Sequence, residues 1–313
     1  MLRTFRIGDL PTFYALMTEE FPDEGRIYGW NAEPFARVIR KFQRPPYRFV
    51  LGFLNAIGKP VFRFFVLEVD GEYAASAIES FGTHMAYVSS VVVAPKFRRR
   101  GLARRLLAAC HDAAAKRREK FVVLDVIDTN ASAIALYDSL GYRPVGHDAH
   151  FARMSLADVA APSAPGPVRP FQRNDAPALA AIARTYVPPA RQEVHPVAES
   201  EFGVPEAVVQ ALDSQTAAWV VDRGAGPVGW VRASVSPVMR AGHLTAPVLA
   251  PAASADDTAT LLATALDWTR NAGASRAVSQ VIDENTRAAA ALRAAGFEVA
   301  YGSRTLAWPT GVG

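Results

Sequence analysis

Cysteine is nearly absent from this chain, and long apolar runs are absent too. The single cysteine, Cys110, excludes an intramolecular disulfide and a zinc site built from cysteines. No window approaches the roughly 20 apolar residues of a membrane-spanning helix, and residues 1–9 contain no apolar run of signal-peptide length. We therefore expect a soluble cytoplasmic protein with no metal and no membrane partner.

A strong excess of either charge is also missing. The 313 residues include 34 Lys and Arg against 30 Asp and Glu, a net charge of +4, so net charge predicts no nucleic-acid partner. Half of the residues are hydrophobic, which is enough for two domains that each bury a core. The small net charge hides a local basic cluster, which comprises Lys96, Arg98, Arg99, Arg100, Arg104 and Arg105.

The sequence contains a tandem repeat. Val126-Ile-Asp-Thr-Asn130 matches Val281-Ile-Asp-Glu-Asn285, and Leu140-Gly-Tyr142 matches Ala295-Gly-Phe297 at the same offset of 155. The Ala- and Pro-rich stretch 157–170 separates the copies and is typical of an exposed linker. The pattern predicts two domains of one fold, which cover residues 1–156 and 171–308.

Each copy opens with a similar segment. Phe5-Arg-Ile-Gly-Asp-Leu-Pro11 matches Phe171-Gln-Arg-Asn-Asp-Ala-Pro177, and each segment precedes a helical pattern. The aspartates in these segments, Asp9 and Asp175, stand where a helix N-cap is expected.

The first copy alternates strand and helix patterns. A hairpin is predicted over 62–80 with Asp70-Gly71 at the turn. The other predicted elements are strands over 87–93 and 121–127 and helices over 103–116 and 131–140. This order predicts a mixed, three-layer α/β domain. Residues 35–42 are compatible with a helix, and residues 44–60 receive no assignment.

The basic cluster falls where a buried strand ends and an amphipathic helix begins. The first N–H groups of a helix are unpaired, and the helix dipole is positive there, so such a junction favours a phosphate group. Gly101 allows the backbone to approach a ligand closely. A pyrophosphate-bearing ligand accounts for these features together. The competing interpretations are a solvated helix face and a weak nucleic-acid patch.

At this point the residues resemble the GNAT (GCN5-related N-acetyltransferase) superfamily. The resemblance is carried by Val93-Ala-Pro95, Arg98-x-x-Gly101-x-Ala103, Asn130, Ala133, Tyr137 and Leu140-Gly-Tyr142. It implies two tandem GNAT-like domains, each a mixed, mostly antiparallel sheet flanked by helices. The two-copy layout is similar to that of the mycothiol synthase group, in which, however, the competent copy is the C-terminal one.

The resemblance also implies acetyl-CoA as cosubstrate and direct transfer of its acetyl group to a primary amine. The pantetheine would lie along Val91, Val92 and Val93, and Asn130 would contact the coenzyme. Tyr137 would be the acid that protonates the leaving thiolate. The pyrophosphate would sit on the N–H groups of Arg98, Arg99, Arg100, Gly101, Leu102 and Ala103.

Each of these side chains has a structural alternative. Tyr137 has the helical spacing of a core aromatic, and Asn130 stands where it would cap the helix that follows. The strand over 87–93 offers no carboxylate as general base, so we favour Glu79 on the neighbouring strand. His84, Asp125, Asp128 or a water chain remain open. His147 and His150, without a third ligand, are weak evidence for a metal.

The second copy lacks the same chemistry. Asp256 stands opposite Gly101 beside a second aspartate, and Leu292 occupies the place of Tyr137. We expect the second domain to keep the fold without the coenzyme site. The alternative function is a non-catalytic acyl-CoA-binding or regulatory protein. Whether the acceptor is a small-molecule amine or a protein amine is open, and so is the oligomeric state.

Overall fold

The computed structural model describes residues 1–29, 62–81, 84–160, 167–203 and 214–311, with a few single positions between 33 and 49. The possible helix over 35–42 and the segment 44–60 lie almost wholly outside the described residues. Two compact units divide the chain. The first comprises Met1–Gly25, Ala32–Val145 and Arg304–Gly313, and the second comprises Arg26–Asn31 and Gly146–Ser303.

The first unit contains a mixed sheet with helices. Its elements are β1 (Leu2–Thr4), α1 (Leu10–Glu20), β2 (Phe62–Val69), β3 (Glu72–Phe81), β4 (Met85–Val93), α2 (Leu102–Lys116), β5 (Phe121–Ile127) and α3 (Ala131–Ser139). The strands run in the order β1-β2-β3-β4-β5. Neighbours are antiparallel except β4 and β5, which are parallel. The predicted fold class is confirmed for this unit.

Local sequence explains the first hairpin. Asp70 and Gly71 have φ values of 52° and 80°, the left-handed pair that suits a tight turn between twisted strands. The predicted hairpin is therefore confirmed. The predicted helix 103–116 and strand 121–127 are also present. The apolar positions of the helix repeat at the helical period, and the strand is a short, mostly buried apolar run rich in β-branched residues.

The C-terminal residues of the chain belong to the first unit. Strand β13 (Glu298–Pro309) follows β5 in the sheet order, and its residues from Arg304 onward lie in this unit. Leu306 is 2% exposed in the first core, and Trp308 stacks on His111 with ring centroids 3.8 Å apart. Thr310 N donates to Lys120 O at 3.0 Å. The first sheet is thus completed by the end of the second repeat.

The second unit repeats this plan. Its elements are β6 (Arg143–Arg153, from Gly146 onward), β7 (Val168–Pro170), α4 (Ala176–Arg184), α5 (Pro189–Val194), β8 (Gln215–Asp222), β9 (Pro227–Val235), β10 (Ala241–Leu244), β11 (Val248–Leu249), α6 (Ala255–Asn271), β12 (Arg276–Ile282) and α7 (Thr286–Ala294). Strands follow the order β7-β8-β9-β10-β12-β6, with β11 on β9. The parallel pair is β10 and β12.

The units correct the simple picture of two consecutive domains. Asp148–Arg153 pair antiparallel with β12 in the second unit, although they precede the predicted linker. The linker 157–170 is also shorter than predicted. Val159 is buried in the second core, and Val168–Pro170 form a strand. Residues 161–166 of the linker lie outside the described residues.

Asp9 and Asp175 occupy the N-cap positions of their helices, as predicted, but neither side chain makes a capping hydrogen bond. Each carboxylate instead accepts from a backbone N–H three residues earlier and from an arginine. Asp9 bonds Arg6 N at 2.6 Å and Arg3, whereas Asp175 bonds Gln172 N at 2.8 Å and Arg169. The arginine on the preceding strand competes for the carboxylate, which keeps it off the helix. None of the helices in the described ranges is long and apolar enough to span a bilayer.

Replacing Leu306 with alanine tests the C-terminal strand. Because this side chain is buried in the first core, Leu306→Ala is expected to lower the free energy of unfolding by about 2–5 kcal/mol. Val299→Ala is the control, since Val299 lies on the same strand but is 48% exposed, and should cost less than about 0.5 kcal/mol. Urea unfolding measures both. Equal, small effects would show that the strand does not complete the first core.

Candidate functional site

Two parallel strands of the first unit separate in the middle of the sheet. Pairing between β4 and β5 in the described part of the chain covers only Met85–Tyr87 and Phe121–Val123. On its other side β4 continues along β3, where an extra β4 residue forms a bulge and Ser90 has a φ of 53°. The edge of β4 beyond Tyr87 therefore faces a fork, and backbone groups there are available to an extended ligand.

The basic loop lies at the far end of this strand. Gly101 precedes α2 with a φ of 73°, and Arg105 N donates the first helical hydrogen bond to Gly101 O at 3.1 Å. The N–H groups of Leu102, Ala103 and Arg104 come before that bond, as expected of a helix start. A Cβ on Gly101 would meet no atom within 4 Å, so lack of space does not explain the glycine. Glycine is favoured here because the backbone has the left-handed conformation.

The arginines of the loop do not share one environment. Arg98 donates to Val93 O at 3.3 Å and pairs with Glu20 of α1. Arg99 is exposed and has a φ of 61°, and Arg100 is exposed with its guanidinium over the Phe97 ring, 5.4 Å from the centroid. Arg99 and Arg100 are therefore the cations most available to an anion, and Arg98 ties the loop to α1.

Asn130 is the exposed N-cap of α3, and Tyr137 lies on α3 within the first core. Asn130 Oδ1 accepts from Ala133 N at 3.1 Å, so the residue caps the helix as its structural interpretation predicted. Tyr137 is 6% exposed, and burial raises its pKa to about 12. Its ring lies 5.6 Å from that of Tyr142. A phenol with a raised pKa keeps its proton at neutral pH, which is what an acid requires.

Glu79, the favoured base, is buried on β3. It pairs across the strands with Val88 of the first core, and it has no exposed surface. Neither carboxyl oxygen has a hydrogen-bond partner in the described part of the chain. Burial raises its pKa to about 8. Glu79 is therefore mostly protonated at neutral pH, and no contact in the described part of the chain brings it to an open cleft.

A second carboxylate lies at the fork itself. Asp125 is two residues past the last paired residue of β5, and its half-buried side chain accepts two hydrogen bonds. Tyr87 Oη donates to Asp125 Oδ2 at 2.8 Å, and Thr305 Oγ1 donates to Oδ1 at 2.7 Å. Tyr87 alternates with Val88, so this carboxylate lies on the sheet face opposite Glu79.

Comparisons with known proteins agree with this arrangement. The model of the acetyltransferase (GNAT) family matches residues 11–142. These residues form a GNAT-family domain. The family is one of acyltransferases, and the match contains the fork, the loop and α3.

Relatives and solved structures extend the likeness. The [ribosomal protein bS18]-alanine N-acetyltransferase of Escherichia coli (strain K12) is 40% identical over 78 residues, which are 25% of this chain and 53% of that enzyme. A mycothiol acetyltransferase of Acidothermus cellulolyticus is 32% identical over 162 residues, 50% of this chain and 49% of that protein. The chain thus spans about half the length of the curated relatives it matches.

A tandem GNAT protein from the clavulanic acid biosynthesis pathway shares the fold. Its structure superposes with a TM-score of 0.56 at 17% identity and covers 80% of this chain and 83% of its own. The predicted tandem layout is confirmed at the level of fold.

Sequence reasoning missed two residues that donate hydrogen bonds to Asp125 at the fork, Tyr87 and Thr305. The sequence indicates Tyr87 only as part of a strand, and Thr305 lies 180 residues from Asp125. The hydroxyl of Tyr87, which is the last β4 residue paired with β5, was a usable signal. No local pattern points to Thr305.

The remaining candidates are placed elsewhere. His84 is exposed, and Asp128 pairs with Arg304 at 3.2 Å. His147 lies 2.9 Å from Asp283, whereas His150 stacks on Tyr301. Cys110 is fully buried, and burial raises the pKa of its thiol. These positions and contacts give the side chains structural roles and do not require a catalytic or metal-binding role.

The buried carboxyl of Glu79 makes stability depend on pH. Because its pKa is about 8 when folded and ordinarily 4.5, folding takes up a proton between these values. Stability therefore falls as pH rises from about 5 to about 8, by at most about 1.4 kcal/mol per unit. Glu79→Gln should remove this slope in urea unfolding measured across that range. Glu284→Gln, at an exposed site, should leave the slope in place; a slope unchanged in Glu79→Gln would contradict the assignment.

Proposed function

We propose that the chain is an acetyl-CoA-dependent N-acetyltransferase that transfers acetyl directly to a primary amine at the fork of the first unit. The observation that carries this proposal is the strand fork ending in a glycine-containing, basic helix start. The edge of β4 offers backbone partners to the amides of a pantetheine chain. The loop and the start of α2 offer N–H groups and cations to a pyrophosphate. The β4 edge and the basic loop follow one another directly along the chain.

In this proposal Val91, Val92 and Val93 hold the coenzyme arm, and the Arg98–Ala103 segment holds its phosphates. Asn130 supports the site from the start of α3 as a helix cap. The amine nitrogen attacks the thioester carbonyl carbon, the carbon–sulfur bond breaks, and the Tyr137 hydroxyl protonates the departing thiolate. A base takes the proton lost by the amine. No acyl-enzyme is needed.

The geometry favours Asp125 over Glu79 as that base. Asp125 is half-exposed at the point where β4 and β5 separate, and its two bonds from Tyr87 and Thr305 fix its orientation. Glu79 stays a candidate through its pKa of about 8, which is near the range suited to proton transfer. Its complete burial argues against direct contact with an acceptor.

The acceptor is proposed only as a primary amine of a small molecule or of a protein. One relative is named for an alanine of a ribosomal protein and another for mycothiol. The single buried cysteine is compatible with a reducing cytoplasm. Residues 1–156 and 171–308 remain our proposed bounds of the repeated segments, with coenzyme chemistry confined to the first.

The second candidate function is a non-catalytic acyl-CoA-binding protein. Two observations favour it: β4 has no carboxylate, and Glu79 is buried in its neutral form. Coenzyme binding without release of free thiol in the presence of any amine would support it.

Removing the Tyr137 hydroxyl tests the proposed acid. With an amine panel and a thiol-release assay, Tyr137→Phe is expected to lower kcat by about 100-fold, because the thiolate then leaves unprotonated. Coenzyme affinity should change little. Tyr142→Phe is the matched control, since that hydroxyl contacts His111 at 2.9 Å within the core. Equal rates for wild type and Tyr137→Phe would exclude the acid role.

Removing the charge of Asp125 tests the base. Asp125→Asn keeps the shape of the side chain, and it is expected to lower kcat by about 100-fold with normal coenzyme binding. Glu79→Gln should lower kcat by less than about fivefold. Steady-state kinetics on both variants decide between the carboxylates. The reverse order of effects would return the role to Glu79.

A further inference from the structure

The second unit contains a cavity of about 600 Å³ between α6 and α7. This volume is within the range of small-molecule sites. Its lining follows one face of α6 from Ala255 to Leu266, about 16 Å of helix, and one face of α7 from Arg287 to Ala295, about 12 Å. The cavity is therefore elongated along two helices.

Alanines create this space. The offset of 155 relates Ala259 and Ala294 to Arg104 and Ser139 of the first unit. There Arg104 donates to Ser139 Oγ at 2.7 Å and bridges the two equivalent helices. The methyl groups of Ala259 and Ala294 cannot make that bridge. At two further wall positions, Ala291 and Ala295 replace Leu136 and Leu140, which pack on the first core.

The cavity reaches the start of α6, yet it is not built for phosphate. Ala253, Ser254 and Ala255 line it where the offset places Arg98, Arg99 and Arg100 of the first unit. Ser254 Oγ accepts from Asp257 N at 3.1 Å, so the helix start is capped from within. The Asp257 carboxylate is buried there and bonded to Arg223. A pyrophosphate would meet negative charge and occupied donors.

The walls instead suit an apolar chain. Leu249, Leu262 and Leu266 join the alanines of both helices in the lining. Burial of methylene groups against such a surface is favourable, and a linear chain matches the elongated shape.

The rim supplies one available cation. Arg153 lines the cavity but is engaged by Asp158 at 2.9 Å and by Ala295 O at 2.7 Å. Arg287, in the first turn of α7, is exposed and has no ion-pair partner among the described residues. A ligand with an apolar chain and one carboxylate complements this arrangement.

We propose that the second unit binds a linear aliphatic carboxylate, with its chain between α6 and α7 and its carboxylate at Arg287. The proposal is independent of acetyl transfer in the first unit. It gives the second unit a ligand of different chemistry at the place that corresponds to the coenzyme loop.

Titration calorimetry on the full chain with decanoate and decanol tests this site. We expect one saturable decanoate site and binding of decanol that is weaker by at least about threefold, because the alcohol cannot pair with Arg287. Arg287→Ser introduces the residue found at the equivalent Ser132 and should abolish that difference. Arg173→Ser, at an exposed arginine outside the cavity, is the matched control.

Filling the cavity gives a second, independent test. The double variant Ala291→Leu, Ala295→Leu restores the side chains of the first unit and should abolish binding of both ligands. If this variant fails to fold, Arg287→Ser alone decides. The proposal is overturned by absence of saturable decanoate binding, by binding that neither variant changes, or by displacement of decanoate with excess coenzyme A, which would locate it in the first unit.

Discussion

The separation of β4 from β5 is the constraint on which the first unit depends. A sheet normally pairs every interior N–H and C=O, and leaving such groups unpaired is costly unless water or a ligand replaces the partner. Here pairing stops after Tyr87 and Val123, and the bulge at Ser90 re-aims the rest of β4. The opening therefore follows from the backbone register of β3, β4 and β5. The basic loop lies at one end of the fork and Asp125 at the other.

The two units show which interactions hold the fold and which serve chemistry. Asn130 and Asn285 both cap the following helix, with bonds of 3.1 and 3.2 Å to the third N–H along. The paired arginine and aspartate before the first helix also occur twice. The glycine-containing start of α2, by contrast, has become a serine-capped start in α6. Caps are needed for the helix in either unit, whereas exposed N–H groups are useful only to a ligand.

Local patterns made most elements predictable. The Asp70-Gly71 turn, the helix predicted over 103–116 and the asparagine caps depend on residues close together in sequence, and their signals are equally local. The placement of Arg304–Gly313 in the first unit was not predictable. The last strands of the two copies follow similar sequence patterns. A repeat pattern alone therefore does not indicate which of the two sheets each last strand completes. For the same reason the contact of Thr305 with Asp125 had no signal in the sequence. The complete burial of Glu79 had no signal either, because no local pattern shows which side chains cover it.

Backbone strain separates the units in a further way. The non-glycine residues with positive φ in the described ranges are Asp70, Ser90, Arg99 and Arg118, all in the first unit. The positive φ of Asp70 is usual for an aspartate in a tight hairpin turn. Ser90 and Arg99 carry a cost of about 1–2 kcal/mol each. Ser90 directly precedes the strand segment proposed to hold the coenzyme, and Arg99 lies within the proposed phosphate loop. Strain of this kind persists only where surrounding structure maintains it, and it concentrates at binding sites. The second unit, whose sequence has lost the basic loop, has also lost the strained backbone around it, so the relaxed conformation and the altered chemistry support the same division of roles.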